Sequence, residues 1–305
     1  MVLIQSKEWG SFQQNAPGRD AHYLATRGGH LLVVSQALPF NLCWLSIARG
    51  PVFDEGVDQG KVWGDLWEKI RALAKKERVV FVRFEGSEDF DVEGKGWRKA
   101  HAHYQPEWTL RVNLEGAEED ILAQMKQKGR YNIKVARKKG VTVRATHDDS
   151  DVTAFYNILK GTGGRDGFSI HPESYYQTMI KMGHESGWGS LFVAEHEGQI
   201  IGGLIATFYG NVATYYYGAS DHSKRSLMAP YLTQWTAIQE AKNRGCTWYD
   251  FLGVAPPDSP KHPWAGITQF KERFGGERVQ YPHAKEFVFK PGWYALVRLR
   301  KWLRR

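Results

Sequence analysis

Cysteine is nearly missing from this chain. Only Cys43 and Cys246 occur, far apart and outside any Cys-x-x-Cys pair, which excludes a thiolate zinc site and fits a reducing compartment. Long apolar runs are missing too, and nothing approaches the roughly 20 consecutive apolar residues that span a bilayer. The opening MVLIQSKEWGSF lacks the apolar core of a signal peptide, so a cytoplasmic protein is expected. No Walker-type, GxGxxG or GxSxG pattern sits in a supporting context. Acidic residues are absent from the stretch KQKGRYNIKVARKKG at 126–140, which holds Lys126, Lys128, Arg130, Lys134, Arg137, Lys138 and Lys139.

What is present is ordinary globular material. The 305 residues suffice for two domains or one large one. Twelve Trp, fourteen Tyr and fifteen Phe exceed what a core usually needs. A net charge of +8 suggests an anionic partner and says nothing about fold. Periodicity predicts two strands in HLLVVSQALPFNLCWLSIARGPVFDE, then a helix in VWGDLWEKIRALAKKE with Trp63, Leu66, Ile70 and Leu73 on one stripe. VVFVRFEG reads as a buried strand and WTLRVNL as a strand with one wet face. A helix from about Ala117 is expected to continue through the basic run. VTVRATHDDSD returns to a strand and a polar linker near 147–151, where a domain boundary is expected. Beyond it the order is helix, helix, three antiparallel strands, helix, strand. Pro230 falls in the first turn of the last helix and Gly245 at its end. This is the order of an acetyltransferase-like (GNAT) α+β unit, and the first half carries a rougher copy.

On a helix, Arg130, Lys134, Arg137 and Lys138 are expected on one side. Such a stripe suits a phosphate backbone, although a solvated face is the ordinary alternative. Acyl-CoA enzymes of this fold hold the pyrophosphate on a glycine-rich loop and a helix N-terminus. The corresponding ASDHSKRSLMAPYLTQW contains no glycine, and Pro230 removes a backbone donor. An acyl-CoA donor is therefore not expected. His101 and His103 can share a strand face but have no third ligand in view, so neither a metal nor another cofactor is expected. Asp250, in WYDFLGV, reads as a structural carboxylate. The C-terminal PGWYALVRLRKWLRR carries Arg298, Arg300, Lys301, Arg304 and Arg305, with no acid after Glu286. It reads either as a basic interfacial helix or as a helix docked on the first domain.

The blocks IQSKEWGSFQ, ARGPVFDE, MKQKGRYNIKVARKKGV, RDGFSIHP, YYYGASD, LMAPYLTQWTAIQEAKNRGCTWYDFLGV and FKERFGGE occur in that order. Together they resemble the Fem-type family of peptidoglycan aminoacyltransferases over most of the chain. The resemblance implies two tandem GNAT-like domains, 1–147 with 283–305 and 148–282, without the coiled-coil arm of some members. It implies transfer of an amino acid from aminoacyl-tRNA to an amine on the peptide stem of a cell-wall precursor, UDP-linked or lipid-linked. Lys271 and Tyr217 are then the catalytic candidates. Arg165, Tyr216, Ser11, Gln13, Lys134, Arg137 and Lys138 are the candidates for substrate binding. No general base is assigned; Glu85, in RFEG, is the fallback. A monomer at the inner face of the cell membrane is expected. The rivals are a GNAT-fold acyltransferase on another amine, an acyl-CoA enzyme, and a non-catalytic RNA- or membrane-binding module.

Overall fold

The computed structural model describes residues 2–167 and 169–303, with Asp166 and Lys301 described by backbone alone. In chain order the first elements are α1 (Lys7–Gln14), β1 (Arg19–Thr26), β2 (Gly29–Leu38), β3 (Leu42–Ala48), β4 (Val52–Phe53), α2 (Gln59–Lys76), β5 (Val79–Glu85) and β6 (Trp97–Lys99). Next come β7 (Trp108–Asn113), α3 (Glu118–Gln124), α4 (Gln127–Lys138), β8 (Thr142–Thr146), α5 (Asp149–Asp166), α6 (Glu173–Glu185), β9 (Gly189–His196), β10 (Gln199–Tyr209) and β11 (Val212–Ser220). The chain ends with α7 (Ala229–Asn243), β12 (Trp248–Gly253), α8 (Ala265–Lys271), β13 (Glu277–Gln280), β14 (Lys285–Val288) and α9 (Pro291–Trp302). Arg304 and Arg305, part of the expected basic terminus, lie outside the described residues.

Two compact units result, Met1–Glu107 with Gln280–Arg305, and Trp108–Val279. The first sheet runs β1-β2-β3-β5-β14-β6, with β4 paired to β2; the second runs β13-β7-β12-β11-β10-β9-β8. Both share one plan. A run of antiparallel strands, three in the first sheet and four in the second, leads to a single parallel junction, β3 with β5 or β11 with β12. An antiparallel strand then follows, borrowed from elsewhere in the chain. β14 enters the first sheet after the second unit is complete, and β7 enters the second sheet ahead of that unit's own strands.

This borrowing moves the boundary. The sequence reading divides the chain at 147/148 and 282/283, whereas the units divide at 107/108 and 279/280. Because β7 pairs with β12, the helices and strand that follow it belong to the second unit. The polar residues near 147–151 are no linker. Arg144 forks onto Asp151 at 2.7 and 3.0 Å, and Thr146 Oγ1 donates to it at 2.6 Å, joining β8 to α5. The helix expected from Ala117 through the basic run is also broken. Met125 and Lys126 are extended, and the Arg130 guanidinium donates to the Leu122 and Met125 carbonyls at the end of α3.

Packing follows the apolar stripes. α2 is capped by the Asp58 carboxylate, which accepts from Lys61 N at 3.0 Å. It buries Val62, Leu66, Ile70 and Ala74, each large side chain contributing about 1.5–3 kcal/mol. The returning strand brings a charge with it. Glu286 lies opposite Arg83 in register and is fully buried; Arg83 donates to its Oε1 at 3.0 and 2.6 Å, and Tyr294 donates to Oε2.

Removing Glu286 strands a buried guanidinium, so Glu286→Ala is expected to lower unfolding free energy by about 3–5 kcal/mol in a urea titration. Glu68→Ala, at an exposed pair with Arg71, is expected to cost under about 0.5 kcal/mol.

Candidate active site of the second unit

The site begins where two strands part. β11 and β12 pair only from Val212↔Trp248 to Thr214↔Asp250. Past that point β11 keeps its bonds to β10 but carries a bulge: Tyr215 faces Ala206 and Tyr217 faces Ile205, with Tyr216 as the extra residue. The insertion resets alternation, so Tyr215 and Tyr217 keep different company. Tyr215 packs with Phe251 at 6.2 Å and joins the core beneath α7. Tyr217 meets Tyr176 of α6 edge-on at 5.1 Å and bonds to Tyr175. Burial pushes the Tyr215 phenol up to about 12 and Tyr217 well above its usual range. Both therefore stay protonated at neutral pH and serve as hydrogen-bonding groups, not bases.

On the β11 side of this parting lies a cavity of about 230 Å³, walled by Gly202 and Gly203 of β10, Tyr215 and Gly218 of β11, Pro230 of α7 and Phe270 of α8. A methyl at Gly218 would overlap the Tyr215 ring, so glycine here is what lets that ring lie over the strand. Thr162 and Arg165 of α5 border both this cavity and a second opening of about 500 Å³ beside Ser220, Asp221 and His222. Gln234 was not anticipated. It is buried on the inner side of α7, accepts from Tyr249 Oη at 2.7 Å and bonds Tyr215. A polar residue amid Leu232, Trp235 and Ile238 is the sequence signal that marks it.

Lys271 is neither on the surface nor in the cavity wall. It is 6% exposed, and its Nζ donates to the carbonyls of Phe251 at 2.6 Å and Gly253 at 2.7 Å. Those carbonyls belong to a bulge of β12 in which Leu252 adopts φ +53°. Asp250 holds the same turn from the other side, accepting from Leu252 N at 2.7 Å, from Thr109 Oγ1 and from Arg111 Nε at 3.4 Å. The ammonium also lies 5.4 Å from the centre of the Tyr215 ring. Burial drives its pKa down from 10.5 to about 8, with Asp250 opposing the shift.

The remaining candidates separate. Arg165 is exposed at the last turn of α5. Tyr216 packs on Tyr217 at 5.2 Å; the tyrosine that borders the cavity is Tyr215, not the expected Tyr216 or Tyr217, because of the bulge. Lys134, Arg137 and Lys138 are exposed on α4 together with Tyr131 and Lys128, while Gly129, Asn132, Ile133 and Ala136 are buried. Arg130 leaves the expected stripe to close α3. Lys126 pairs with Glu272 at 3.5 Å and Lys139 donates to Ser226 O at 2.8 Å.

In the first unit, Gln13 is buried with its carbonyl oxygen taken by Arg19 at 2.6 Å, so it offers a ligand little. Ser11 is exposed beside it. Glu85 is buried, accepts from Tyr104 N and Gln105 N at 2.6 and 2.9 Å, and has its pKa raised by desolvation. Its role is to fix that loop. His101 and His103 do not act as a pair. His101 turns to Glu286 at 3.5 Å, whereas His103 and His283 converge on Glu107. His103, Glu107 and His283 place one ligand atom each within 4.8 Å of one another; Glu107 and His283 are two partners of His103 that sequence reading did not find.

The FemAB family profile matches residues 88–186 and 189–301. Lipid II:glycine glycyltransferases of Staphylococcus aureus are 21% identical, with 97% of this chain and 90% of the relative covered. That match runs over 383 positions against the 305 residues here, so the relative carries segments with no counterpart in this chain. Among solved structures, FemX superposes with a TM-score of 0.83 at 19% identity, covering 97% of this chain and 94% of FemX. A tandem GNAT protein from the clavulanic acid pathway gives 0.57 at 13% identity, covering 91% and 85%. The fold is two GNAT-like domains in tandem.

Lys271 binds its proton less tightly in the folded chain than in the unfolded one. Between about pH 8 and 10.5 the unfolded chain therefore holds more protons, and stability gains as pH rises. Compared with Lys271→Met, wild type is expected to gain unfolding free energy across that window. Parallel profiles for the two proteins would remove the buried-ammonium assignment.

Proposed function

The chain belongs to the FemAB family, and from that premise we propose that it transfers an amino acid from an aminoacyl-tRNA to an amine on the peptide stem of a peptidoglycan precursor. The observation that carries this reading is the family match together with its relatives, which are named for adding glycine to lipid II. The donor end of the cavity supports it. Where an acyl-CoA enzyme offers backbone N–H groups to a pyrophosphate, α7 here starts at Met228 in a left-handed conformation and places Pro230 in the cavity wall. Pro230 has no N–H to offer a pyrophosphate at that corner.

An aminoacyl ester is already activated. Its aminolysis requires alignment of the amine with the carbonyl, a deprotonated amine and stabilisation of the oxyanion. Arg165, at the mouth of both openings, is the cation placed for an acceptor or donor phosphate. Lys271 is a positioning residue in this scheme. It fixes the β12 bulge and lies under Tyr215, which walls the cavity. Lys134, Arg137 and Lys138, with the exposed Tyr131 ring on the preceding turn of α4, form the face for the nucleic acid.

The direct test is incubation with a mixed charged-tRNA pool and lipid-linked precursor, then mass spectrometry of the precursor. A mass increase of one or more amino-acid residues is expected, and no increase with either lipid- or UDP-linked precursor overturns the reading. Substituting Lys134, Arg137 and Lys138 by Gln together is expected to weaken tRNA binding and flatten its log–log salt slope by roughly 2–3. Lys271→Ala is expected to lower transfer and thermal stability together, because two buried carbonyls lose their donor at about 1–3 kcal/mol each.

A further inference from the structure

The first unit carries an apolar surface that transfer chemistry does not use. Among the described residues ten large hydrophobic side chains stand exposed, and four of them, Phe40, Leu296, Leu299 and Leu303, line one groove. α9 is apolar on two sides. Its inner side sends Tyr294, with Trp293 and Val297, onto Leu42, Trp44, Val80 and Phe81. Its outer side carries Leu296, Leu299 and Leu303 at helical spacing, between 52% and 70% exposed. A helix docked only on its own domain needs the first side and gains nothing from the second.

A second element reaches the same place. The turn joining β2 to β3 holds Phe40 and Asn41 at φ +64° and +55°, a conformation that suits Gly or Asn and strains a phenylalanine. Phe40 is 74% exposed, and its ring touches Trp293 at 5.5 Å. Turn and helix frame a groove of about 350 Å³ lined by Leu38, Phe40, Trp293, Leu296, Leu299 and Leu303. Folding alone does not account for an aromatic ring placed in strained backbone and left in water.

Charge selects the occupant. The chain has no Asp or Glu after Glu286, whereas Lys290, Arg298, Arg300, Lys301, Arg304 and Arg305 follow it. Arg300 lines the groove beside the apolar stripe of α9, and Arg298, one turn on from Tyr294, reaches that ring at 5.9 Å. Among the described residues no helix is long and apolar enough to cross a membrane. We propose that the β2–β3 turn and the outer side of α9 form an interfacial docking surface for an anionic lipid bilayer, with Phe40, Leu296, Leu299 and Leu303 entering the headgroup region and the arginines meeting lipid phosphates. The proposal does not rest on the transfer reading, since it concerns only the first unit.

The test is flotation of the full chain with vesicles of phosphatidylcholine alone or with about 30% phosphatidylglycerol. Binding is expected on the anionic vesicles, weaker in high salt and slight on neutral ones. The variant F40S/L296S/L299S is expected to lose at least about tenfold in partitioning. R298Q/R300Q is expected to lose binding at low salt while keeping the wild-type thermal midpoint, which separates lost docking from lost folding. Equal partitioning of wild type and both variants overturns the proposal. So does a concentration-dependent dimer in light scattering that F40S/L296S/L299S abolishes, because a second copy is then the occupant.

Discussion

Parallel strands that part must leave backbone groups unpaired, and the second unit is organised around satisfying them. Below Thr214 and Asp250 the two strands share a ladder; above, each needs other partners. On β12 the partners are side chains. Lys271 reaches two carbonyls from α8, and Asp250 takes the Leu252 amide from within the strand. On β11 the answer is a bulge, which turns Tyr215 toward the core beneath α7 and sends Tyr217 to α6. The cavity opens on the β11 side of the parting, where the bulge sets Tyr215 in its wall and Gly218 leaves room for that ring.

Helical stripes, strand alternation and capping chemistry made much of this fold legible. α2 follows directly from apolar spacing, and Pro230 and Gly245 mark the ends of α7. The order of elements identified the second unit, because local patterns report element type well. Pairing between distant segments was not legible. β1, in RDAHYLAT, shows no clean alternation and is set by its register with β2. Neither β7 nor β14 announces which sheet it joins, so the boundary expected at 147/148 was drawn at a polar turn inside a unit.

Site residues divide in the same way. Residue type and motif located Lys271 and Asp250, yet burial and bonding partners depend on tertiary packing that a motif does not encode. A lysine after Phe270 reads as exposed until the β12 bulge closes over its ammonium. Gln13 reads as available until Arg19 is seen on its oxygen. The basic run reads as one stripe until the break at Met125 diverts Arg130. In each case a polar side chain answers a backbone or charge demand created elsewhere in the chain.

The borrowed strand β14 has a consequence for biosynthesis. In the sheet begun by β1, the strand β5 lacks its β14 neighbour until residues 285–288 emerge from the ribosome, after the whole second unit. Until then Arg83 has no Glu286, and a buried guanidinium without its carboxylate disfavours closure of that core. The usual vectorial order, in which an N-terminal domain completes itself first, is therefore inverted here. The second unit has all its strands before β14 is made, and the first completes its sheet only after the second unit has been synthesised.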